Sequence, residues 1–187
     1  MARSSSHSPR RLALVFGSAL AAAVALGCAP VPAASGPAVT FDPCTPVTLV
    51  PDANATADEV AGVAAGAALW NASAGADVLT TAPTPGDGGT ADRTLPIHFQ
   101  AAAAPFNGLY DGPNGQIYIN EDLTGQQLAI TVAHEVGHSF GLVHIPPDQR
   151  PSLMNPGNLT VLPTPQDVAT LAAIWGRCGS LDAAGTE

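Results

Sequence analysis

The stretch His134-Glu135-Val136-Gly137-His138-Ser139-Phe140-Gly141-Leu142-Val143-His144 holds three of the chain's five histidines. On a helix, side chains four apart lie on one face, so His134 and His138 point the same way and can grip a single metal ion. Glu135 stands one residue round from His134, placed to act on a water at that metal rather than to ligate it. The helix should stop at Gly141, because glycine takes the left-handed conformation of a helix C-terminus without a Cβ clash. The chain then turns back, and three residues later His144 supplies a third imidazole. Three imidazoles leave a fourth position open for water, the arrangement of a catalytic rather than a structural zinc. The competing reading is a set of histidines satisfied in a core. It is weak, since three histidines at fixed places arise by chance on the order of once in 10⁵ starting points.

Apart from Met1 the sequence has one methionine, Met154, in Ser152-Leu153-Met154-Asn155-Pro156. A lone methionine usually fills a core gap. Here the eleven-residue histidine pattern with a Met-turn downstream resembles the metzincin metalloproteases. Within that clan the chain looks most like the matrixin group. Met154 is followed two residues later by Pro156, Thr164-Pro165-Gln166-Asp167-Val168 opens a final helix ending in Trp175-Gly176, and an early helix ends in Leu69-Trp70-Asn71. The likeness covers residues 44–178, with residues 134–156 its specific part.

The resemblance implies an α+β fold: a small metzincin-like zinc protease domain with a twisted mixed sheet, an active-site helix and a C-terminal helix. It implies cleavage of protein or peptide substrates with one catalytic Zn2+ held by His134, His138 and His144. Glu135 would be the general base and Met154 the floor beneath the metal. Ile145 departs from the pattern, since matrixins commonly have Ser after the third histidine and astacins Glu. The lack of a Tyr after Met154 argues against astacin or serralysin types. The segment Ala101–Gly115 is short for the matrixin loop that carries structural metals and has no histidine, so no second zinc is expected. Asp87, Asp92 and Asp111 are the calcium candidates, though they read more readily as turn residues. The edge strand that would pair with substrate is not visible, and Gly157–Pro163 is expected to wall the specificity pocket.

Residues 1–27 form an export signal: Arg3, Arg10 and Arg11 precede an uncharged apolar run from Leu12 to Leu26, too short for a stable membrane span. Ala25-Leu26-Gly27-Cys28 resembles a bacterial lipobox, which would lipidate Cys28 and make the lipid anchor the chain's link to a membrane. Cleavage after Ala33 is the other reading. Either way the protein is extracytoplasmic. Residues 28–43 are an Ala/Pro-rich linker, 44–178 the catalytic domain, and 179–187 a disordered tail. Cys44 and Cys178 bracket the domain and read as a disulfide in an oxidising compartment, contributing about 4 to 5 kcal/mol on the chain-entropy model. Arg177-Cys178-Gly179 also echoes a cysteine switch, whose thiolate would block an open metal site. After Cys28 three arginines face all fifteen acids, a formal charge of −12, and the chain has no lysine. Phosphate binding needs clustered cations, so nucleic acid is excluded as a partner. The protein is expected as a monomer.

Three segments carry a capping-box pattern: Thr56 with Glu59, Thr124 with Gln127, and Thr164 with Asp167. They predict helices ending near Trp70, Phe140 and Trp175. Strands are predicted over 47–50, 78–81, 95–100 and 116–120, with turn-rich segments at 84–92 and 107–115. His98, in the third strand, reads as structural. Two further readings compete with the peptidase: a metal-stabilised binding lipoprotein that cleaves nothing, and an anchored protein with no metal. Glu135 argues against the first, because a binding module has no need of that group.

Overall fold

The computed structural model of the protein describes residues 38–74, 78–82 and 93–176. Five strands form one sheet: β1 (Val47–Pro51), β2 (Leu79–Thr81), β3 (Thr94–Gln100), β4 (Gly108–Asp111) and β5 (Gln116–Asn120). Their order is β2-β1-β3-β5-β4. The first four in that order run parallel, and β4 pairs antiparallel with β5. The sheet is therefore mixed, in an α+β domain as expected. Among the described residues three helices accompany it: α1 (Ala57–Ala74), α2 (Gly125–Ser139) and α3 (Pro165–Trp175). No helix among the described residues is long and apolar enough to cross a membrane.

Alternation along the strands turns Val47, Leu49, Leu95, Ile97, Ile117 and Ile119 fully inward. They join Val63, Ala67 and Trp70 of α1 and Leu128, Val132 and Val136 of α2 in one apolar cluster. α1 and α2 pack closely because glycines face the contact. A Cβ on Gly62 would fall 2.3 Å from Leu128 Cδ2, and one on Gly66 would fall 2.7 Å from Val132 Cγ1. Trp70 Nε1 donates to the Ala133 carbonyl at 2.8 Å, which locks α1 to the turn of α2 just before His134. The next residue, Asn71, ties the same end of α1 to β2, accepting from the Val78 and Leu79 amides and donating to the Leu79 carbonyl.

The expected strands and helices are all present, with three corrections. β4 lies inside the segment read as turn; its four residues are too few for an alternation to register, and pairing with β5 makes them a strand. α1 continues to Ala74, past Trp70. The Thr124 box does not form: Thr124 makes no side-chain cap bond. Gly125 takes φ +53° at the first helical position, which turns Thr124 away from the amide it was expected to cap. The other two boxes form. Thr56 and Glu59 bond reciprocally, as do Thr164 and Asp167.

Residues 1–37, where an export signal, a lipidated Cys28 and most of a linker are expected, lie outside the described residues, as do Asp87, Asp92, Cys178 and the expected tail 179–187. Asp111, the remaining calcium candidate, accepts from Asn114 Nδ2 at 2.7 Å in the turn between β4 and β5.

Candidate active site

α2 carries His134, Glu135 and His138 on its cavity side, and its C-terminus determines where His144 arrives. Gly141 takes φ +89°. Its amide donates to the His138 carbonyl at 2.9 Å, and the Leu142 amide donates to Gly137 at 3.0 Å, the paired closure of a Schellman motif. The reversal leaves the Leu142 carbonyl free to accept from His138 Nδ1 at 2.8 Å. His134 Nδ1 likewise donates to the Leu153 carbonyl at 2.7 Å. Carbonyls only accept, so both Nδ1 atoms carry the proton and both Nε2 atoms present bare lone pairs.

Those lone pairs converge. Nε2 of His134 and Nε2 of His138 each lie 3.1 Å from Nε2 of His144. Tetrahedral zinc with nitrogen ligands at 2.0–2.1 Å separates those ligands by about 3.3 Å, so both of these separations suit that ion, and the three ligand atoms all lie within 4.8 Å of one another. Among the described residues this cluster is the one group of three or more potential ligand side chains. Burial lowers the His134 pKa to about 4; its bond to Leu153 opposes this, while His138 and His144 add to it. Burial lowers His138 as well, against its bond to Leu142 and with help from His144. Both rings are thus held in the neutral form that ligates metal.

Glu135 is 5% exposed. Burial pushes its carboxyl up to about 8, with the Tyr110 backbone amide of β4 pulling the other way. β4 reaches Glu135 because Gly108 has no side chain: a Cβ there would lie 2.9 Å from Thr131 Cγ2 and 3.0 Å from Glu135 Oε1. Met154 is 1% exposed, and its Sδ lies 2.6 Å from where a Cβ on Gly137 would be. The Met154 carbonyl accepts from Ile145 at 2.9 Å, and Asn155 Nδ2 donates to the Ile145 carbonyl at 2.8 Å, which places His144 beside the Met-turn.

Asp167 of α3 organises that turn. Its Oδ1 accepts from Ser152 Oγ at 2.5 Å and Arg150 at 2.9 Å; its Oδ2 accepts from the amides of Leu153 and Thr164 at 3.0 Å each and from Thr164 Oγ1 at 2.9 Å. The residue whose amide Asp167 holds is the one whose carbonyl orients His134. Sequence reasoning read Asp167 only as a cap. It missed Gly108 and Thr131, although Thr131 stands one helical turn before Glu135 on the same face. His98 lies apart from the cluster, bonded to Asp52 at 2.8 Å and to Gln116 at 3.3 Å.

Two cavities meet at Glu135, Gly108 and His144. One, of about 380 Å³, is bounded by Phe106, Asn107, Thr131, Gly157 and Asn158. The other, of about 480 Å³, is more apolar and is bounded by Thr40, Leu109, Tyr110, Leu142 and Val143. Of the expected wall 157–163, Gly157 and Asn158 line the first cavity.

The sequence pattern of metallo-peptidase family M12B, reprolysin-like, matches residues 47–145, more than half of the chain. The chain belongs to that family. The metzincin likeness therefore holds at the level of the clan, and the family matched is M12B rather than the matrixin group. The human protein "A disintegrin and metalloproteinase with thrombospondin motifs 7" is 44% identical over 73 residues, 35% of this chain and 4% of that protein. The chain thus spans a small fraction of this relative's length. The M12B match ends at Ile145, so the Met-turn and α3 lie beyond it.

Proposed function

We propose that the protein is a zinc-dependent endopeptidase in which His134, His138 and His144 hold the metal and Glu135 is the general base. The observation that carries this reading is the convergence of the histidine Nε2 atoms, with two rings fixed by carbonyls, beside a buried carboxyl. Zinc, when bound, would supply Lewis acidity toward water and the scissile carbonyl.

The rest is the work of the chain's own residues. Glu135 takes a proton from the attacking water and delivers it to the departing amine. A carboxyl raised by burial can do both, and the positive charge of a bound cation would bring its pKa back toward neutrality. The outer edge of β4 lies at the end of the sheet, so an extended peptide can add there as a further strand. Laid antiparallel to β4, the peptide would set residues before the cleaved bond over the apolar cavity and the residue after it over the cavity containing Thr131.

We further propose that the protein works outside the cytoplasm, exported by residues 1–27 and anchored through Cys28, with Cys44 and Cys178 bridged. An unstructured protein such as casein, incubated with purified zinc-loaded protein, should be cut. A chelator should stop cleavage, and Glu135→Ala should abolish it while zinc stays bound. If the zinc-loaded wild type leaves a panel of unfolded proteins intact, the peptidase reading fails and the binding-module reading replaces it.

A further inference from the structure

We propose that Asn158 is a positioning residue: its side-chain amide holds the carbonyl that orients His134, and it does so from the wall of the cavity beside Glu135. The inference rests on the zinc reading above and deepens it. The Leu153 carbonyl accepts twice, from His134 Nδ1 at 2.7 Å and from Asn158 Nδ2 at 3.1 Å. A carbonyl oxygen has two lone pairs, so both are engaged. Leu153 is fully buried, so protein groups rather than solvent hold that oxygen.

The side chain of Asn158 can stand only one way round. Its Nδ2 also donates to the Val161 carbonyl at 2.7 Å, and its Oδ1 accepts from the amides of Thr160 and Val161 at 3.0 and 2.8 Å. Turned over, it would set its oxygen against two carbonyls and its NH2 against two amides. One side chain thus closes the turn at 158–161 and grips Leu153. Asn158 also lines the cavity with Gly157. The same residue therefore borders the space open to a substrate and braces the support of a metal ligand.

His134 needs that brace more than His138 does. The torsion that turns an imidazole about its own bond is broad, so the partner of Nδ1 fixes the ring plane. For His138 that partner is the Leu142 carbonyl, four residues on and already placed by the closure of the helix at Gly141. For His134 it lies 19 residues away. Asp167 accepts from the Leu153 amide at 3.0 Å, and Ser152 Oγ accepts from the Met154 amide at 3.0 Å. Those bonds hold the nitrogen ends of the two peptide groups flanking Leu153. Asn158 holds the oxygen that His134 uses.

The test compares wild type with Asn158→Ala and Asn158→Asp. Aspartate keeps an oxygen for the Thr160 and Val161 amides, so the turn still closes, but it cannot donate to Leu153. In metal-free protein, NMR of isotope-labelled rings reads the Nδ1 proton of each histidine. The His134 proton should shift and exchange faster with water in both variants, while the His138 proton, bonded to Leu142, stays where it is. The zinc affinity of Asn158→Ala, measured by competition with a chelator, should fall about tenfold, the low end of what loss of an outer-shell partner costs. An unmoved His134 proton overturns the proposal. So do His134 and His138 protons that move together, because Asn158 would then brace the fold at large. If the alanine variant does not fold, the aspartate variant carries the NMR test. Zinc held equally by wild type and Asn158→Ala sinks this proposal alone, whereas a folded wild type that binds no zinc sinks the zinc reading with it.

Discussion

Replacing Asp167 by Asn keeps the size of the side chain and removes its charge. In the wild type the carboxylate, 1% exposed, accepts five hydrogen bonds, from Arg150, Ser152, the Leu153 amide and both donors of Thr164. Asparagine keeps one acceptor oxygen and turns an NH2 toward donors, so at least two of the five lose their partner. Bonds to a charged group contribute about 1.5–3 kcal/mol each, and breaking a buried charged pair costs about 3–5 kcal/mol. We expect a loss of about 3–5 kcal/mol, a large share of the roughly 5–15 kcal/mol typical of a domain. The assay is urea denaturation of metal-free protein.

The pH dependence carries a second signature of the same carboxylate. Burial raises its pKa, but the bonds from Ser152, the Thr164 and Leu153 amides and Arg150 together outweigh it, and the folded-state pKa is lowered. A carboxyl depressed on folding stabilises fully above its unfolded value of about 3.9, and that stability disappears as pH falls through the folded value. The gap between wild type and Asp167→Asn should therefore stay constant from pH 7 to about 5 and close below about 4. A gap under about 1 kcal/mol at pH 7, or one that widens in acid, would refute the reasoning.

Gly108→Ala should retain zinc and lose about a hundredfold in kcat/KM, since a displacement of about 1 Å at a catalytic group costs that much; peptide kinetics beside metal analysis checks it. Trp70→Phe removes the donor to the Ala133 carbonyl and should lower stability by about 1–3 kcal/mol in the same urea assay. Gly137→Ala must displace Met154 or Trp70 and, despite alanine's better helix propensity, should destabilise by about 1–3 kcal/mol, measured as a lower melting temperature.

What could be read from the sequence was local. His134, His138, Gly141 and His144 lie within one helix and its stop, so helical periodicity and one glycine sufficed to bring them together. The Thr164 box could be read for the same reason. β4 could not, because it is short and is defined by its pairing with β5. The second role of Asp167 was hidden because Leu153 and Ser152, 14 and 15 residues away, reach it only through the tertiary fold. The Thr124 box shows the converse: a local pattern present in the sequence was overridden by the positive φ of Gly125. Thr131 follows from helical spacing once Glu135 is singled out, but its place in the cavity wall is visible only in the packed structure. The resemblance found the clan from the histidines and the Met-turn, while the choice of matrixins leaned on Pro156 after Met154 and on the sequences of α1 and α3, which are generic helices.

The most direct test of the central claim is zinc K-edge X-ray absorption on the zinc-loaded protein. The account predicts one zinc per chain with three imidazole nitrogens at about 2.0–2.1 Å and a light oxygen in the fourth place. Scattering from sulfur at about 2.3 Å would mean a cysteine closes the site, and a folded protein that holds no zinc would contradict the account outright.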